Sequence, residues 1–336
     1  MSDRQAALAA FLEEAGWGAA SVAWRPGDAS YRRYARLTLG RQVSMLMDAP
    51  PPQEAVGPFL EVGEVLKGAG LTTPAILARD EFNGFLLLED FGDTTYTALL
   101  NSGADVARLY LLATDTLIEL RRQLSKRPAA VPFYNPEVRV GHFSTFLDWL
   151  WPEVLPPGPT PAERATFNAL WLDALKHAPT LGQGLVHRDF HVDNLMLLED
   201  RPSIAACGVL DFQDAGWGPF AYDLASLVED ARRDLSPTVK KACLDRYTEA
   251  FPHLSADEIS AAIAVHGGQR HLRVAGLWVR LWRRDGKSGY LKHMARTWTL
   301  LEGSLAHPIL SDVAAFMADA FPESARARSV ALTETV

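Results

Sequence analysis

Cysteine is nearly absent from this chain. Cys207 and Cys243 are the only two in 336 residues, too few for a disulfide framework, and a reducing cytoplasm is the expected compartment. Long apolar runs are missing as well. Nothing approaches the roughly 18–20 residues that span a bilayer, so no transmembrane helix is expected. The opening stretch MSDRQAALAAFLEEAG carries Glu13 and Glu14 within its apolar part, and reads as an amphipathic helix and not as a secretion signal. Positive charge is in deficit: Lys and Arg number 33 against 41 Asp and Glu, for a net charge of −8. That balance argues against nucleic acid or an anionic membrane as partner. No internal repeat occurs, and nothing in the sequence calls for an obligate protein partner.

What is present is material for a core. Hydrophobic residues make up 48% of the chain and nine are tryptophan. The length favours two domains over one. Up to about residue 92, short β-branched and aromatic bursts alternate with the turn-forming stretches PGDAS, LGR and Asn83-Gly84. They predict about five strands and one inserted helix, EAVGPFLEVGEVLKGAG, stopped at Gly70. From residue 93 to 336 the pattern is mainly helical, beginning with ADVARLYLLATDTLIELRRQL. The exception is LMLLEDRPSIAACGVLDFQ, read as two short strands around a turn at Glu199–Pro202. The last residues, SARARSVALTETV, are polar and expected to fray. One region reverses the overall charge: residues 265–300 hold Arg270, Arg273, Arg280, Arg283, Arg284, Lys287, Lys292 and Arg296 against Asp285 alone. An anionic small molecule would be drawn there.

The stretch GLVHRDFHVDNLMLL places His187, Asp189, His191 and Asp193 at alternate positions, followed by Asn194. Alternating His and Asp suit zinc, but His253, His266, His271, His293 and His307 lie in helical surroundings without ligand spacing. A polar turn ahead of a strand would account for a lone His-x-Asp. It does not account for HRDFHVDN, which fits H-R-D-x-x-x-x-N, with GVLDFQDA placing Asp211 after an apolar strand downstream. Phosphoryl transfer needs these residue types: a carboxylate beside the attacking hydroxyl, and an amide oxygen with a second carboxylate on Mg²⁺, which prefers hard oxygen ligands. A hairpin between Asn194 and Asp211 would return both to the same end.

These motifs resemble the aminoglycoside-phosphotransferase and choline-kinase superfamily, over nearly the whole chain. The resemblance implies an α+β, protein-kinase-like bilobal fold, with a small mixed-sheet lobe (1–92) and a larger helical lobe (93–336). It implies ATP and Mg²⁺ as cofactors, Asp189 as catalytic base, and Asn194 and Asp211 as magnesium ligands. Asp223, in YDLASLVED, would support the catalytic loop together with His187, and Glu89, Asp90 and Phe91, in LLLEDFGD, would meet adenine. GDASYRRYARL, MLMDAPP, HRDFHVDNLM, GVLDFQDAGWGPFAYDLASLVED and RVAGLWVRLWRRDGK, with LLLEDFGD, look most like the bacterial kinases that phosphorylate the C1 hydroxyl of N-acetylmuramate and N-acetylglucosamine in cell-wall recycling. Other kinases of the aminoglycoside, choline or homoserine type are the alternative acceptor class. A nucleotide-binding pseudokinase scaffold is the non-enzyme alternative.

Two departures from the general kinase pattern stand out. The phosphate loop offers Gly27 and Ser30 but no glycine-rich run. No lysine precedes Lys67, so the usual strand-three lysine is absent. Arg32, Arg33 or Arg36 would have to grip phosphate in its place. Strand alternation puts Arg33 on one face and Arg32 and Arg36 on the other, without saying which face meets the nucleotide. Glu61 or Glu64 could pair with whichever arginine acts, although each reads first as a solvated helix charge. Asp211 and Asp223 are separated only by FQDAGWGPFAY, and no A-P-E follows, which leaves no room for a protein-docking activation segment and favours a small acceptor. Around that acceptor the candidates are His191, Asp193, Gln213, Asp214, Trp217, Arg280 and Arg283. A basic pocket suits the carboxylate of N-acetylmuramate and disfavours cationic acceptors.

Overall fold

The structure is a computed structural model that describes residues 3–26 and 31–335. Gly27 and Ser30 lie outside the described residues. The chain divides into two compact units: residues to Ala104 together with Val192–Asp214, and Asp105–His191 together with Ala215 onward.

The first unit opens with α1 (Asp3–Glu14), then β1 (Ser21–Trp24), β2 (Arg33–Leu39), β3 (Gln42–Asp48), α2 (Gly57–Gly68), β4 (Ile76–Asp80), β5 (Phe85–Leu88) and α3 (Tyr96–Asn101). The strands form one sheet in the order β1-β2-β3-β5-β4. Every pairing is antiparallel, so the expected mixed sheet is corrected to an antiparallel one. Period-two burial sets its faces. Ala35 and Leu37 of β2, Leu46 of β3, and Phe85 and Leu87 of β5 are fully or nearly fully buried beneath Phe11 and Leu12 of α1. The β4–β5 turn requires glycine: Gly84 has φ +73°, and a Cβ there would stand 2.0 Å from the carbonyl oxygen of Ala49.

In the second unit α4 (Val106–Gln123), α5 (Pro136–Gly141), a π-helical turn (Phe146–Leu150), α6 (Trp151–Val154) and α7 (Pro161–His177) precede strand β6 (Gln183–Val186). The chain then passes through the first unit as β7 (Leu195–Leu197) and β8 (Cys207–Val209), and returns as β9 (Gly216–Pro219), which pairs with β6. Helices α8 (Ala221–Val228), α9 (Pro237–Ala250), α10 (Ala256–Asp285), α11 (Met294–Leu305), α12 (Ser311–Ala320) and α13 (Glu323–Ala331) follow. The tail expected to fray is thus helical as far as Ala331.

Helix α10 has 30 residues, about 45 Å at the usual rise. A Ser255–Glu258 capping box begins it, and left-handed Gly286 ends it. Trp278 of α10 is fully buried in an aromatic core with Phe146, Trp171, Trp298 and Phe321. Gly276 lets the helix touch the π-helical segment: a Cβ would lie 2.2 Å from the carbonyl carbon of Thr145.

Candidate active site

In the first unit, β7 and β8 pair Leu195 with Val209, and the Leu210 N–H donates to the carbonyl of Asn194 at 2.9 Å. The expected hairpin therefore returns Asn194 and Asp211 to one end. Both line a cavity of about 530 Å³, with Asp193, Met45 of β3, Leu88 of β5, Met196, Leu210, and the Glu89–Asp93 segment. That is within the usual size range of small-molecule sites. Asp211 adopts φ +58°, an uncommon left-handed conformation for a non-glycine residue. Gln213 was expected at the acceptor. It donates from Nε2 to Asp211 Oδ1 at 2.8 Å instead, which orients that carboxylate. Asp193, also expected at the acceptor, lines this cavity and accepts a short hydrogen bond from Thr97 of α3. Asp214 is exposed in the following turn.

The same cavity settles which face of β2 is which. Tyr34 lines it, so Arg32 and Arg36 share its face while Ala35 and Leu37 face α1. Arg33 is drawn to the other side, where it and Arg4 both pair with the buried carboxylate of Asp48. Arg36 is held by Asp90, with Nη2 to Oδ1 at 2.8 Å, and by Asp93, with Nη1 to Oδ2 at 2.6 Å. Hydrogen bonds to both carboxylates raise its pKa further. Asp90 also accepts from the Gly92 N–H at 2.8 Å, so Arg36 braces the segment expected at adenine. Glu89 pairs with Arg201, and its N–H donates to the Ala75 carbonyl at 2.8 Å. Phe91 lines the cavity. Arg32 Nε lies 3.4 Å from Glu54 Oε2. The carboxylate facing it is therefore Glu54, ahead of α2, and Glu61 and Glu64 are the solvated helix charges the sequence suggested. Glu61 is exposed and Glu64 stands 4.0 Å from Lys67. In place of a strand-three lysine, β3 presents Met45 and the buried Met47, whose sulfur accepts from the Tyr34 hydroxyl at 3.3 Å.

The second unit carries the loop with Asp189. Asp223, in the first turn of α8, accepts from the N–H groups of His187 at 2.5 Å and Arg188 at 2.9 Å. Arg188 is held at φ +76°. The Asp189 N–H meets His187 Nδ1 at 3.3 Å. Burial pushes the Asp223 carboxyl up to about 6, although His187 and the two N–H groups pull it down. Burial also pushes up on Asp189, but the charges of Arg273 and Arg270 outweigh it and hold this carboxyl well below the usual carboxylate range. His191 is buried, and burial with the charges of Arg232 and Arg270 keeps it neutral. Trp217 is half-buried in β9 opposite Leu185.

Two expectations on α10 are decided by neighbours distant in sequence. Arg283 forms a two-pronged pair with Glu153 of α6, Nε to Oε2 at 2.9 Å and Nη2 to Oε1 at 2.5 Å, and stacks over Trp282. It ties α10 to α6 at the surface. Arg280 is half-buried, and its Nε has no hydrogen-bond partner among the described residues. The residues overlooked by sequence reasoning are Thr97, Glu54 and the Arg270–Arg273 pair. The first two carried no signal. The arginines did, in their i, i+3 spacing within the basic region. Among the described residues no cluster of three or more His, Cys, Asp or Glu side chains is arranged to hold a metal, and no helix is long and apolar enough to cross a membrane.

The model described as phosphotransferase enzyme family matches residues 23–293. The chain belongs to this family. Among phosphotransferase relatives, an N-acetylmuramate/N-acetylglucosamine kinase of Caulobacter vibrioides is 33% identical, with 94% of this chain and 96% of that one covered. A protein of the same name from Pseudomonas aeruginosa is 36% identical, with 93% of each covered. Among solved structures, a thermostable mutant of an aminoglycoside phosphotransferase, in ternary complex with AMP-PNP and hygromycin B, superposes with a TM-score of 0.60 at 14% identity, covering 90% of this chain and 99% of that one. The phosphotransferase thus has the protein-kinase-like fold: a five-stranded antiparallel sheet followed by a mainly helical remainder.

Proposed function

We propose that the chain is an ATP-dependent kinase that phosphorylates the anomeric hydroxyl of N-acetylmuramate and N-acetylglucosamine. One observation carries the reading: over nine-tenths of its length the chain aligns with kinases named for these two sugars. The first-unit cavity supports nucleotide binding. Met45, Leu88, Met196 and Leu210 offer apolar walls to a base, and the Glu89–Phe91 backbone its polar edge. Asn194 and Asp211 supply two hard oxygen donors to that same cavity, a set that suits Mg²⁺ completed by water and phosphate. When bound, the ion neutralises charge on the transferring phosphoryl group.

Asp189 orients the acceptor hydroxyl and takes its proton as the sugar oxygen bonds to the γ-phosphorus. The bond from that phosphorus to the bridging oxygen breaks, and ADP leaves. Asp223 fixes the loop that carries Asp189, and most of the acceleration comes from positioning and charge stabilisation. Arg280 reads the carboxylate that distinguishes N-acetylmuramate.

ADP release is measured with both amino sugars, choline, homoserine and an aminoglycoside. Turnover on the amino sugars is expected, with Asp189→Asn lowering kcat by several orders of magnitude and leaving ATP affinity intact. Nucleotide binding without turnover on any acceptor would make the chain a scaffold, and turnover on choline alone would reassign the acceptor. Arg280→Ala is expected to lower kcat/KM for N-acetylmuramate about 10- to 100-fold, the worth of a desolvated charge-assisted pair, and to spare N-acetylglucosamine. Equal loss on both sugars would remove Arg280 from that role.

A further inference from the structure

Two cations from α10 converge on a single oxygen of the loop carboxylate. Arg270 Nη2 lies 3.6 Å and Arg273 Nη1 3.7 Å from Asp189 Oδ1. Both distances exceed those of ordinary hydrogen bonds, so the arginines act on Asp189 through charge and steric confinement. Arg270 is fully buried, and its Nε, Nη1 and Nη2 have no hydrogen-bond partner among the described residues. A buried guanidinium so poorly satisfied is strongly unfavourable by itself. The compensating partner in the structure is Asp189, about 80 residues earlier in the chain. The spacing is helical: residues three apart share a face of α10, so both side chains descend on the loop together.

We propose that Arg270 and Arg273 are positioning residues for Asp189, pinning its Oδ1 so that Oδ2 is presented to the acceptor hydroxyl. The proposal rests on the reading of Asp189 as the base. The other groups acting on this carboxylate are Arg232 beyond α8, His191 in the loop, His142 at the end of α5, and Asp223. His191 and His142 are kept neutral chiefly by burial, and Asp223 opposes ionisation, so the arginines decide the balance. A carboxylate held in this way stays ionised across the working pH range and is a weak base. It suits an acceptor whose hydroxyl is already acidified. A hemiacetal hydroxyl, flanked by the ring oxygen, meets that requirement better than an ordinary alcohol.

The test is the pH profile of kcat/KM for neutral N-acetylglucosamine in the full-length protein at saturating ATP, so that the acceptor does not titrate and any titration of the nucleotide is common to all variants. Wild type and Arg273→Lys are expected to share one profile from pH 8 to pH 5, with a single acid limb set by protonation of Asp223 near pH 6. Arg273→Glu exchanges an attractive charge for a repulsive one, which moves a carboxylate by about 2–6 pH units. Protonation of Asp189 should then add a second acid limb within the measured range and steepen the profile beyond that of wild type, with Arg273→Gln between. Thermal melting and ATP affinity report whether each variant folds. If Arg273→Glu does not fold, the Arg270→Gln/Arg273→Gln pair removes both charges, and the same upward movement is expected. A purely structural role predicts equal fractional loss at every pH in all variants, and that result overturns the proposal. So does an acid limb unmoved by charge. Failure of the underlying reading looks different: wild type would not turn over the sugar, or Asp189→Asn would remain active.

Discussion

Asp223→Asn separates the stability of this protein from its activity. The Asp223 carboxyl sits at about 6 because burial penalises its charge, against about 3.9 in an unfolded chain. A folded value above the unfolded one means that this group's contribution to stability is whole below about pH 4 and fades as pH rises through 6. Holding the charge in the folded state at pH 8 costs about 3 kcal/mol, of which roughly half accrues between pH 5 and pH 8. Asparagine stands in for the protonated acid and carries no such penalty. Urea unfolding of both proteins at pH 5 and pH 8 should therefore show the difference between them moving by about 1–2 kcal/mol in favour of the variant. All other titrating groups are shared and cancel. Activity should move the opposite way. The carboxylate accepts from both His187 N–H and Arg188 N–H, whereas an amide offers one oxygen and turns a donor toward the second N–H. Losing one charge-assisted bond of about 1.5–3 kcal/mol from the catalytic loop should lower kcat about 10- to 100-fold. A stability difference that does not vary with pH, or an unchanged kcat, would refute the argument.

Other consequences are more local. Arg283→Ala breaks an exposed pair with Glu153 and should change stability by less than about 1 kcal/mol, with kcat/KM for both sugars within a factor of about two; a selective loss against N-acetylmuramate would return Arg283 to the substrate. His266 is fully buried and held neutral by burial and by the nearby charge of Arg139, with Nε2 on the Pro179 carbonyl at 3.1 Å. Its folded value is depressed, so its contribution is whole above the unfolded value near 6.5 and is lost as pH falls below it. His266→Gln should flatten the acid side of the stability profile between pH 7 and pH 5, and a profile identical to wild type would refute the assignment.

The cavity end of the site was legible because its chemistry is local. HRDFHVDN and GVLDFQDA name their residues by spacing, and two short apolar strands around a turn leave Asn194 and Asp211 at one end whatever surrounds them. Asp223 was legible only through the family resemblance of YDLASLVED, since its spacing alone would also suit an ordinary helix N-terminal carboxylate. The arginines were not. Arg32, Arg33 and Arg36 are sorted by period-two alternation into two faces, but alternation does not say which face a helix will cover. Packing of Phe11 and Leu12 from α1 over Ala35 and Leu37 decided it. Glu54, not α2, supplies the carboxylate near Arg32 because it precedes the helix, where no periodicity marked it.

Sequence by itself determined the class of chemistry, through the identity and spacing of a few oxygen-bearing side chains, and the division into a sheet-rich start and a helical remainder, through hydrophobic period. Tertiary structure decided the electrostatics. Whether an arginine on α10 braces Asp189, ties down Glu153 or meets solvent depends on which distant segment packs against its turn of helix. Charge acts through distance in space, and separation along the chain does not fix that distance.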